Sequence, residues 1–194
     1  PVDQFQENIS SQSMDYATKF NIQEDQLKVI EPWPGATSAI EYKFEKIPER
    51  VIVTSTTHLP YLELLGLEDK LVGFVGTNNI YSEKIKAKLK SGQIIEVGMH
   101  GKINLELLLA SQPDLVIAFD LGGESSILDK ITEAGIPIVY NSDFLEEKAL
   151  GRAEWIKFFG YIFDEFNLAD SIFNGMVERY NQLKNLTPNV KERP

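Results

Sequence analysis

The sequence predicts an α/β protein in which a parallel sheet carries helices on both faces. Short apolar runs rich in β-branched residues recur through the middle of the chain, and such runs are typical of strands buried on both sides. Segments with helical spacing of apolar residues lie between these runs, and this alternation favours parallel strands joined by right-handed crossovers. After residue 146 the apolar residues recur only at helical spacing, which predicts that the last part of the chain is helical.

Composition and charge exclude several classes of function. The 194 residues suffice for one large domain or two small ones. A formal net charge of −10 argues against nucleic acid as a partner, because phosphate binding needs a basic surface. The absence of cysteine excludes disulfides and thiolate chemistry, and two histidines alone cannot form a zinc site. No apolar stretch is long enough to span a membrane.

The first part of the chain predicts an extension that ends in a β-hairpin. Residues 1–20 are polar and lack a sustained period, so we expect a loose leader there. Strands are predicted at 27–30 and 40–44, where apolar and polar residues alternate in the second strand. The prolines of the segment E-P-W-P-G at 31–35 forbid a helix or a central strand and therefore predict the turn.

The central part of the chain supplies the parallel sheet. Apolar runs predict strands at 51–53, 71–75, 94–97, 114–119 and 136–140. Between them, helices are predicted at 59–67, 82–90, 104–111 and 125–134, several of which end near a glycine. The last helix is predicted to begin near Asn167 and to end by Leu186, because Thr187 precedes a proline.

Four loops of this arrangement are candidates for a ligand site. In an open parallel sheet, ligands bind outside the carboxyl ends of the strands. The loops at 55–58, 76–81, 97–101 and 119–123 fall there and bring hydroxyls, amides, aromatic rings and both histidines to one rim. A nucleophile elbow, a P-loop and a dinucleotide fingerprint are all missing from the sequence. We therefore predict no catalytic residue, resident metal or cofactor.

Four segments carry a resemblance to a known family. They read E-R-V-I-V-T-S at 49–55 with L-E-L-L-G at 62–66, G-K-I-N-L-E-L-L-L at 101–109, L-A-S-Q-P-D-L-V-I-A at 109–118, and L-G-R-A-E-W-I-K-F at 150–158. Together they resemble the Fe/B12 periplasmic-binding family, the solute-binding proteins of ABC importers for iron complexes and cobalamin. The N-L-E motif followed by P-D-L-V-I is the most specific part, and the last segment resembles a lipoprotein branch.

The resemblance implies the N-terminal lobe of a two-lobed protein whose lobes are joined by one long helix. Residues 1–48 then form the extension, and residues 49–145 the α/β lobe. Residues 146–187 form a helical segment with the linking helix, and residues 188–194 begin a second lobe. On this reading the sequence is an N-terminal lobe fragment, extracytoplasmic and lipid-anchored in its native form, and we expect a monomer that works with an ABC permease.

The resemblance also assigns roles to single residues. By position, the family's ligand contacts correspond to Thr57, His58, Asn79, Tyr81, His100, Phe119 and Asp120. The glutamate of the N-L-E motif, which docks on permease arginines in the family, corresponds to Glu106. An acid at this position also complements the dipole of a helix capped by Asn104, so capping alone is an alternative role.

The composition of the loops bears on the cargo. None of the four contains an arginine, whereas an anionic ferric triscatecholate or citrate complex would favour an arginine cluster. Cobalamin, haem or a hydroxamate siderophore is thus favoured over a polyanionic ferric siderophore, and the two histidines could serve as axial ligands of the metal. Two other classes stay open: a metal-dependent or chelatase-like enzyme that uses His58 and His100, and an interaction module without a small ligand.

Overall fold

The computed structural model describes residues 14–23, 26–77, 80–99, 102–122 and 126–186. The strands are β1 (Phe20–Gln23), β2 (Gln26–Val29), β3 (Ile40–Tyr42), β4 (Val51–Val53), β5 (Leu71–Phe74), β6 (Ile95–Glu96), β7 (Gly98–Met99), β8 (Lys102–Ile103), β9 (Leu115–Ala118) and β10 (Ile138–Tyr140). The helices are α1 (Leu59–Leu64), α2 (Glu83–Lys90), α3 (Leu105–Ala110), α4 (Ser126–Glu133), α5 (Ala149–Glu154), α6 (Ile156–Ile162) and α7 (Phe166–Leu186). The segments predicted as the start of the leader and as the start of a second lobe lie outside the described residues.

A five-stranded parallel sheet forms the centre, in the order β10-β9-β4-β5-β6, and confirms the predicted α/β class. Its side chains point alternately to two apolar clusters. Val51 and Val53 of β4 belong to one cluster, whereas Ile52 belongs to the other. This arrangement explains why the strands are continuous apolar runs, since both faces of the sheet are covered.

The two faces carry different helices. The first cluster includes buried residues of α1, α2, α6 and α7, whereas the second includes Leu108 of α3 and Leu128 and Ile131 of α4. Helix α1 ends three residues earlier than predicted. Gly66, at φ +68°, follows it, and a left-handed residue just after a helix favours glycine.

Two of the segments that carry the resemblance bind each other directly. The guanidinium of Arg50 donates to the carbonyls of Ser111 and Gln112, at 2.6 and 2.9 Å, where α3 has just ended. In return, the Asp114 carboxylate accepts from the backbone N–H groups of Glu49 and Arg50, at 2.9 and 3.0 Å. The E-R before β4 and the P-D before β9 thus fix the register of these neighbouring strands.

The extension forms a sheet of its own, with the antiparallel order β1-β2-β3. The predicted hairpin of β2 and β3 around the proline-containing turn is confirmed. Strand β1 was not predicted, since Phe20 was expected to end a loose leader. Phe20 and Ile22 instead lie fully buried in the first cluster, and the ring of Phe20 packs 4.6 Å from that of Trp155.

Two buried glutamates hold the backbone just before β1. The Glu154 carboxylate accepts from the N–H groups of Asp15, Tyr16 and Ala17, at 3.0, 2.7 and 2.7 Å. Glu146 accepts from the N–H groups of Thr18 and Lys19, at 2.8 and 2.9 Å. Glu154 has no exposed surface and Glu146 almost none, so these bonds replace water for two buried charges. We call residues 15–19 with Glu146 and Glu154 the glutamate clamp.

Other groups complete the clamp. The ammonium of Lys157, itself buried, lies 3.2 Å from Glu154 and 2.9 Å from Asp170. The indole N–H of Trp155 donates to Glu146 at 3.3 Å. A side chain at Gly151 would place its Cβ 3.0 Å from the Glu146 carboxylate, which accounts for the glycine at this point of the L-G-R-A-E-W segment.

None of the helices within the described ranges is long and apolar enough to cross a membrane.

The clamp predicts that Glu154→Ala strongly destabilises the protein. The substitution removes the acceptor of three backbone N–H groups and one of the two carboxylates that face the buried Lys157 ammonium, and such losses cost about 3 to 5 kcal/mol. Urea denaturation of the purified chain measures the change in the free energy of unfolding. Glu154→Gln, which keeps one acceptor oxygen, should lie between the wild type and Glu154→Ala. Glu178→Gln on the exposed side of α7 is the control, and equal stability of all four proteins would contradict the role of the clamp.

Candidate ligand-binding site

The carboxyl ends of the parallel strands carry polar loops that are tied to one another. After β9, the N–H of Phe119 donates to the Thr54 hydroxyl, at 2.8 Å, in the loop after β4. After β5, Thr77 donates from its N–H and its hydroxyl to Glu96 at the end of β6, at 2.9 and 2.6 Å. Hydrogen bonds therefore join the loop after β4 to the loop after β9, and the loop after β5 to the end of β6, at the carboxyl ends where the sequence analysis placed these loops.

A glycine closes the rim beside β6. Strands β7 and β8 form a small antiparallel pair in which Gly98 lies opposite Ile103. A Cβ at Gly98 would lie 2.1 Å from the Lys102 carbonyl oxygen, so only glycine fits this close approach. The Gly98 carbonyl accepts from the N–H of Gly76 at 2.9 Å and thereby joins the loop after β6 to the loop after β5.

Two predicted contacts, Thr57 and Tyr81, line one depression of about 230 Å³. Tyr81 is 90% exposed, so its ring is free to contact a molecule in this depression. Thr57 lies in a 3₁₀ turn whose backbone is capped by the Ser55 hydroxyl, and the two hydroxyls are 2.9 Å apart. The remaining lining residues are Thr56, Leu59, Pro60, Glu63, Ile80 and Ser82.

The loop after β10 also reaches the rim, and the sequence analysis missed it. Asp143 accepts from the hydroxyls of Thr57 and Tyr61, at 3.3 and 3.2 Å. Burial raises the pKa of the Asp143 carboxyl, and these hydrogen bonds oppose the shift. Burial and the neighbouring Asp143 raise the pKa of Tyr61 as well, so its hydroxyl stays protonated. The N-S-D segment directly after β10 was the available signal, because the rule for carboxyl ends applies to every strand.

Aromatic rings lie next to this loop. Phe119, another predicted contact, is 36% exposed, and its ring centroid lies 4.7 Å from that of Phe144. The predicted contact Asp120 is half-buried, and its Oδ1 accepts from the N–H of Gly122 at 3.1 Å. The rim therefore offers hydroxyls, a carboxylate and apolar ring surface within a short stretch.

The expectation for His58 needs correction. Its ring has no exposed surface and packs 5.9 Å from the ring of Phe159, so in this conformation it cannot touch a ligand at the rim. Burial lowers the pKa of His58 to about 3, with the neighbouring Asn141 side chain opposing the shift. Neither ring nitrogen has a hydrogen-bond partner of normal geometry among the described residues. The histidine therefore stays neutral inside the lobe.

The other predicted residues divide into two groups. Asn79 and His100 lie outside the described residues. Glu106 is exposed in the first turn of α3, and the Asn104 side chain caps this helix by accepting from the N–H of Leu107 at 3.1 Å. Both predicted roles of Glu106, capping and docking, fit this position.

A metal-dependent enzyme finds no support in this geometry. In the part of the chain that the structure describes, no three His, Asp or Glu side chains converge as metal ligands would. The buried His58 is one of the two residues on which that alternative rests. The rim is suited to holding a molecule through hydrogen bonds and ring contacts.

The burial of His58 predicts that His58→Leu flattens the pH dependence of stability. Because the pKa of His58 is lower in the folded than in the unfolded chain, the unfolded chain takes up a proton as the pH falls below about 6.5. The wild type should thus lose about 2 to 3 kcal/mol relative to His58→Leu between neutral pH and about pH 4.5. Denaturation at a series of pH values measures this difference, and Asp143 titrates in both proteins. Parallel curves would contradict a neutral buried His58.

Comparisons with known proteins agree with the fold. The periplasmic binding protein family model matches residues 51–194, from β4 onward. An uncharacterized lipoprotein of Methanocaldococcus jannaschii is 25% identical over 167 residues, covering 82% of this chain and 40% of the relative. A vitamin B12-binding protein of Vibrio parahaemolyticus is 33% identical over 94 residues, which is 48% of this chain and 32% of that protein. The chain thus spans less than half of these two relatives.

A solved structure has a similar fold. The siderophore-binding protein BauB, bound to ferric iron and two molecules of acinetobactin, superposes with a TM-score of 0.63 at 20% identity. The superposition covers 87% of this chain and 56% of that one. With the family match over residues 51–194, the chain belongs to the periplasmic binding protein family.

Proposed function

We propose that this chain is the ligand-binding lobe of an extracytoplasmic solute-binding protein that delivers an iron complex or a cobalamin-type chelate to an ABC permease. The family membership supports the class of protein. The observation that carries the proposal is the rim, where hydroxyls and aromatic rings meet at the carboxyl ends of the parallel strands. That edge is where open α/β sheets bind small molecules.

The charge of the rim favours a cargo without excess negative charge. The described residues of the five rim loops, 54–58, 75–77 with 80–82, 97–99, 119–122 and 141–147, contain no lysine or arginine. Arg152 of α5 donates from its guanidinium to the backbone carbonyls of Glu146 and Phe144. Asp120 and Asp143 would repel a polyanion at short range. Cobalamin, haem and hydroxamate complexes therefore suit the rim better than a ferric triscatecholate.

The second half of the ligand cage would come from beyond this chain. Helix α7 has a buried first part, where Phe173 packs in the first cluster, and an exposed second part with Tyr180 and Leu183. Two exposed apolar side chains on this otherwise polar part suit a linking helix that a second lobe covers. A single linking helix would limit closure around the cargo to a modest hinge motion.

The same proposal places the protein outside the cytoplasmic membrane, with a lipid anchor. The similarity to a protein named as a lipoprotein supports this location. The clamp is compatible with such an anchor. It holds residues 15–19 against the lobe, so a lipid anchor ahead of residue 15 would be joined to the lobe at a fixed point. Recovery of the native protein in the membrane fraction, with surface accessibility to added protease, tests the location.

Binding of chelates by the full-length native protein tests the ligand class. Isothermal titration with cyanocobalamin, haemin, ferrioxamine B and ferric enterobactin should give binding to at least one of the first three. Affinity for the anionic catecholate should be at least about tenfold weaker, a difference of about 1.4 kcal/mol. Failure of all four chelates to bind would overturn the proposed class of cargo.

Glu106→Gln tests docking on the permease. The substitution removes an exposed charge, so chelate affinity should stay unchanged while uptake by cells falls about three- to fivefold at low salt. Glu178→Gln removes an exposed acid from α7 on the opposite face of the sheet and is the matched control. Thermal denaturation separates docking from capping, because a capping role alone lowers the midpoint without reducing uptake. Normal uptake by Glu106→Gln would remove the docking role.

A further inference from the structure

The turn of the extension reaches the same rim as the loops that follow the parallel strands. The segment P-W-P at 32–34 lies between β2 and β3, outside the matched residues 51–194. Strand β3 lies beside the edge strand β10, where the Tyr42 hydroxyl accepts from the N–H of Tyr140 at 3.2 Å. Because Tyr140 is the last residue of β10, the turn is placed at the carboxyl end of the sheet.

Trp33, at the centre of that turn, contacts two elements of the rim. Its ring meets the ring of Tyr140 edge to face, with the centroids 5.3 Å apart. Its Cδ1 lies 3.0 Å from the position that a Cβ would take at Gly122. Gly122 also has φ +82°, so this loop passes the indole where a side chain would be both strained and crowded.

The loop that Trp33 contacts is the one that carries predicted ligand residues. Phe119 and Asp120 precede Gly122, and the Gly122 N–H donates to the Asp120 carboxylate. Leu121 between them is 64% exposed, and Trp33 itself is only half-buried. Apolar surface from Trp33, Leu121 and the Phe119 ring is therefore exposed at the β9 and β10 side of the rim.

A packing role alone does not explain why part of the Trp33 indole is exposed. The large rings that support the core, such as Trp155 and Phe20, are fully buried. Trp33 instead combines a packed edge with an exposed part, as aromatic contact residues of binding sites do. The described rim loops contain no lysine or arginine that could pack on this ring in place of a ligand.

We infer that Trp33 is a specificity-determining residue of the ligand site, a wall that the extension adds to the family lobe. Its occupant is an apolar face of the chelate, such as the ring plane of a corrin or porphyrin or the hydrocarbon part of a hydroxamate. The indole contacts this face directly and also holds the loop of Phe119 and Asp120 in place. This inference rests on the proposed function, since it concerns the same cargo.

Affinity measurements on the full-length native protein test the contact. Cyanocobalamin, haemin and ferrioxamine B are titrated into the wild type, Trp33→Phe, Trp33→Ala and Phe44→Ala. Trp33→Ala should bind the preferred chelate about five- to tenfold more weakly, with Trp33→Phe between it and the wild type. Phe44→Ala removes another half-buried aromatic ring of the extension, which lies beside the amino ends of β9 and β10, opposite the rim, and should bind like the wild type.

Fluorescence gives a second readout that does not depend on the affinity of a variant. The chain has two tryptophans, so Trp155→Phe leaves Trp33 as the reporter and Trp33→Phe leaves the buried Trp155. A saturating chelate should lower the acrylamide quenching constant of Trp33 at least about twofold, because it covers the exposed part of the indole. The quenching constant of Trp155 should not change.

The outcomes separate the two proposals. If the wild type binds none of the three chelates, the proposed function fails and takes this inference with it. If the wild type binds one of them, but Trp33→Ala binds equally well and acrylamide quenching of Trp33 is unchanged, the function stands and the wall is refuted. Weaker binding together with unchanged quenching would also refute direct contact, since Trp33 would then act only by packing.

Discussion

The structure depends on two carboxylates that are buried without leaving their charge unpaired. Glu146 and Glu154 together accept from five consecutive backbone N–H groups at residues 15–19. Burying an ion costs several kcal/mol unless hydrogen bonds replace its water, and here the chain's own backbone supplies them. The arrangement also satisfies N–H groups that precede β1 and have no strand to pair with. One set of bonds thus solves two problems of burial at once.

The clamp links the extension to the candidate site through a short path. Glu146 follows the 3₁₀ turn that contains Asp143 and Phe144, and its backbone carbonyl accepts from the Arg152 guanidinium. The carbonyl of Arg152 accepts in turn from the Tyr61 hydroxyl, which also contacts Asp143. The loop after β10 is therefore held from both sides, by α5 and by the extension. A rim that is fixed before binding costs less entropy when the ligand is ordered on it.

The sequence predicted what is local and missed what is distant. Strands such as β4 and β9 were predictable because burial on both faces leaves an uninterrupted apolar run. Strand β1 was not, because its buried residues follow a polar stretch whose partners, Glu146 and Glu154, lie 127 to 139 residues away. The position of His58 in a polar loop suggested an exposed ring, but Phe159 of a later helix covers it. The rim loops themselves were predictable, since the carboxyl ends of parallel strands share one edge. The contribution of Trp33 could not be predicted in this way, because it depends on the packing of β10 against the extension.

These contacts give two parts of the chain different roles. The matched residues 51–194 supply the sheet, whose register is fixed by ladder hydrogen bonds and, at the amino ends of β4 and β9, by the hydrogen bonds of Arg50 and Asp114. The extension supplies surface that the sheet constrains less, since the P-W-P turn meets the rim through the contacts of Trp33 with Tyr140 and with the loop at Gly122. A substitution in the turn can therefore change the wall of the site while the register of every parallel strand stays the same. A substitution in β4 or β9 cannot change the site without disturbing the sheet. Both faces of these strands are buried, so any change of side-chain volume is felt in the core. Selectivity for the cargo is thus most easily adjusted where the extension meets the rim.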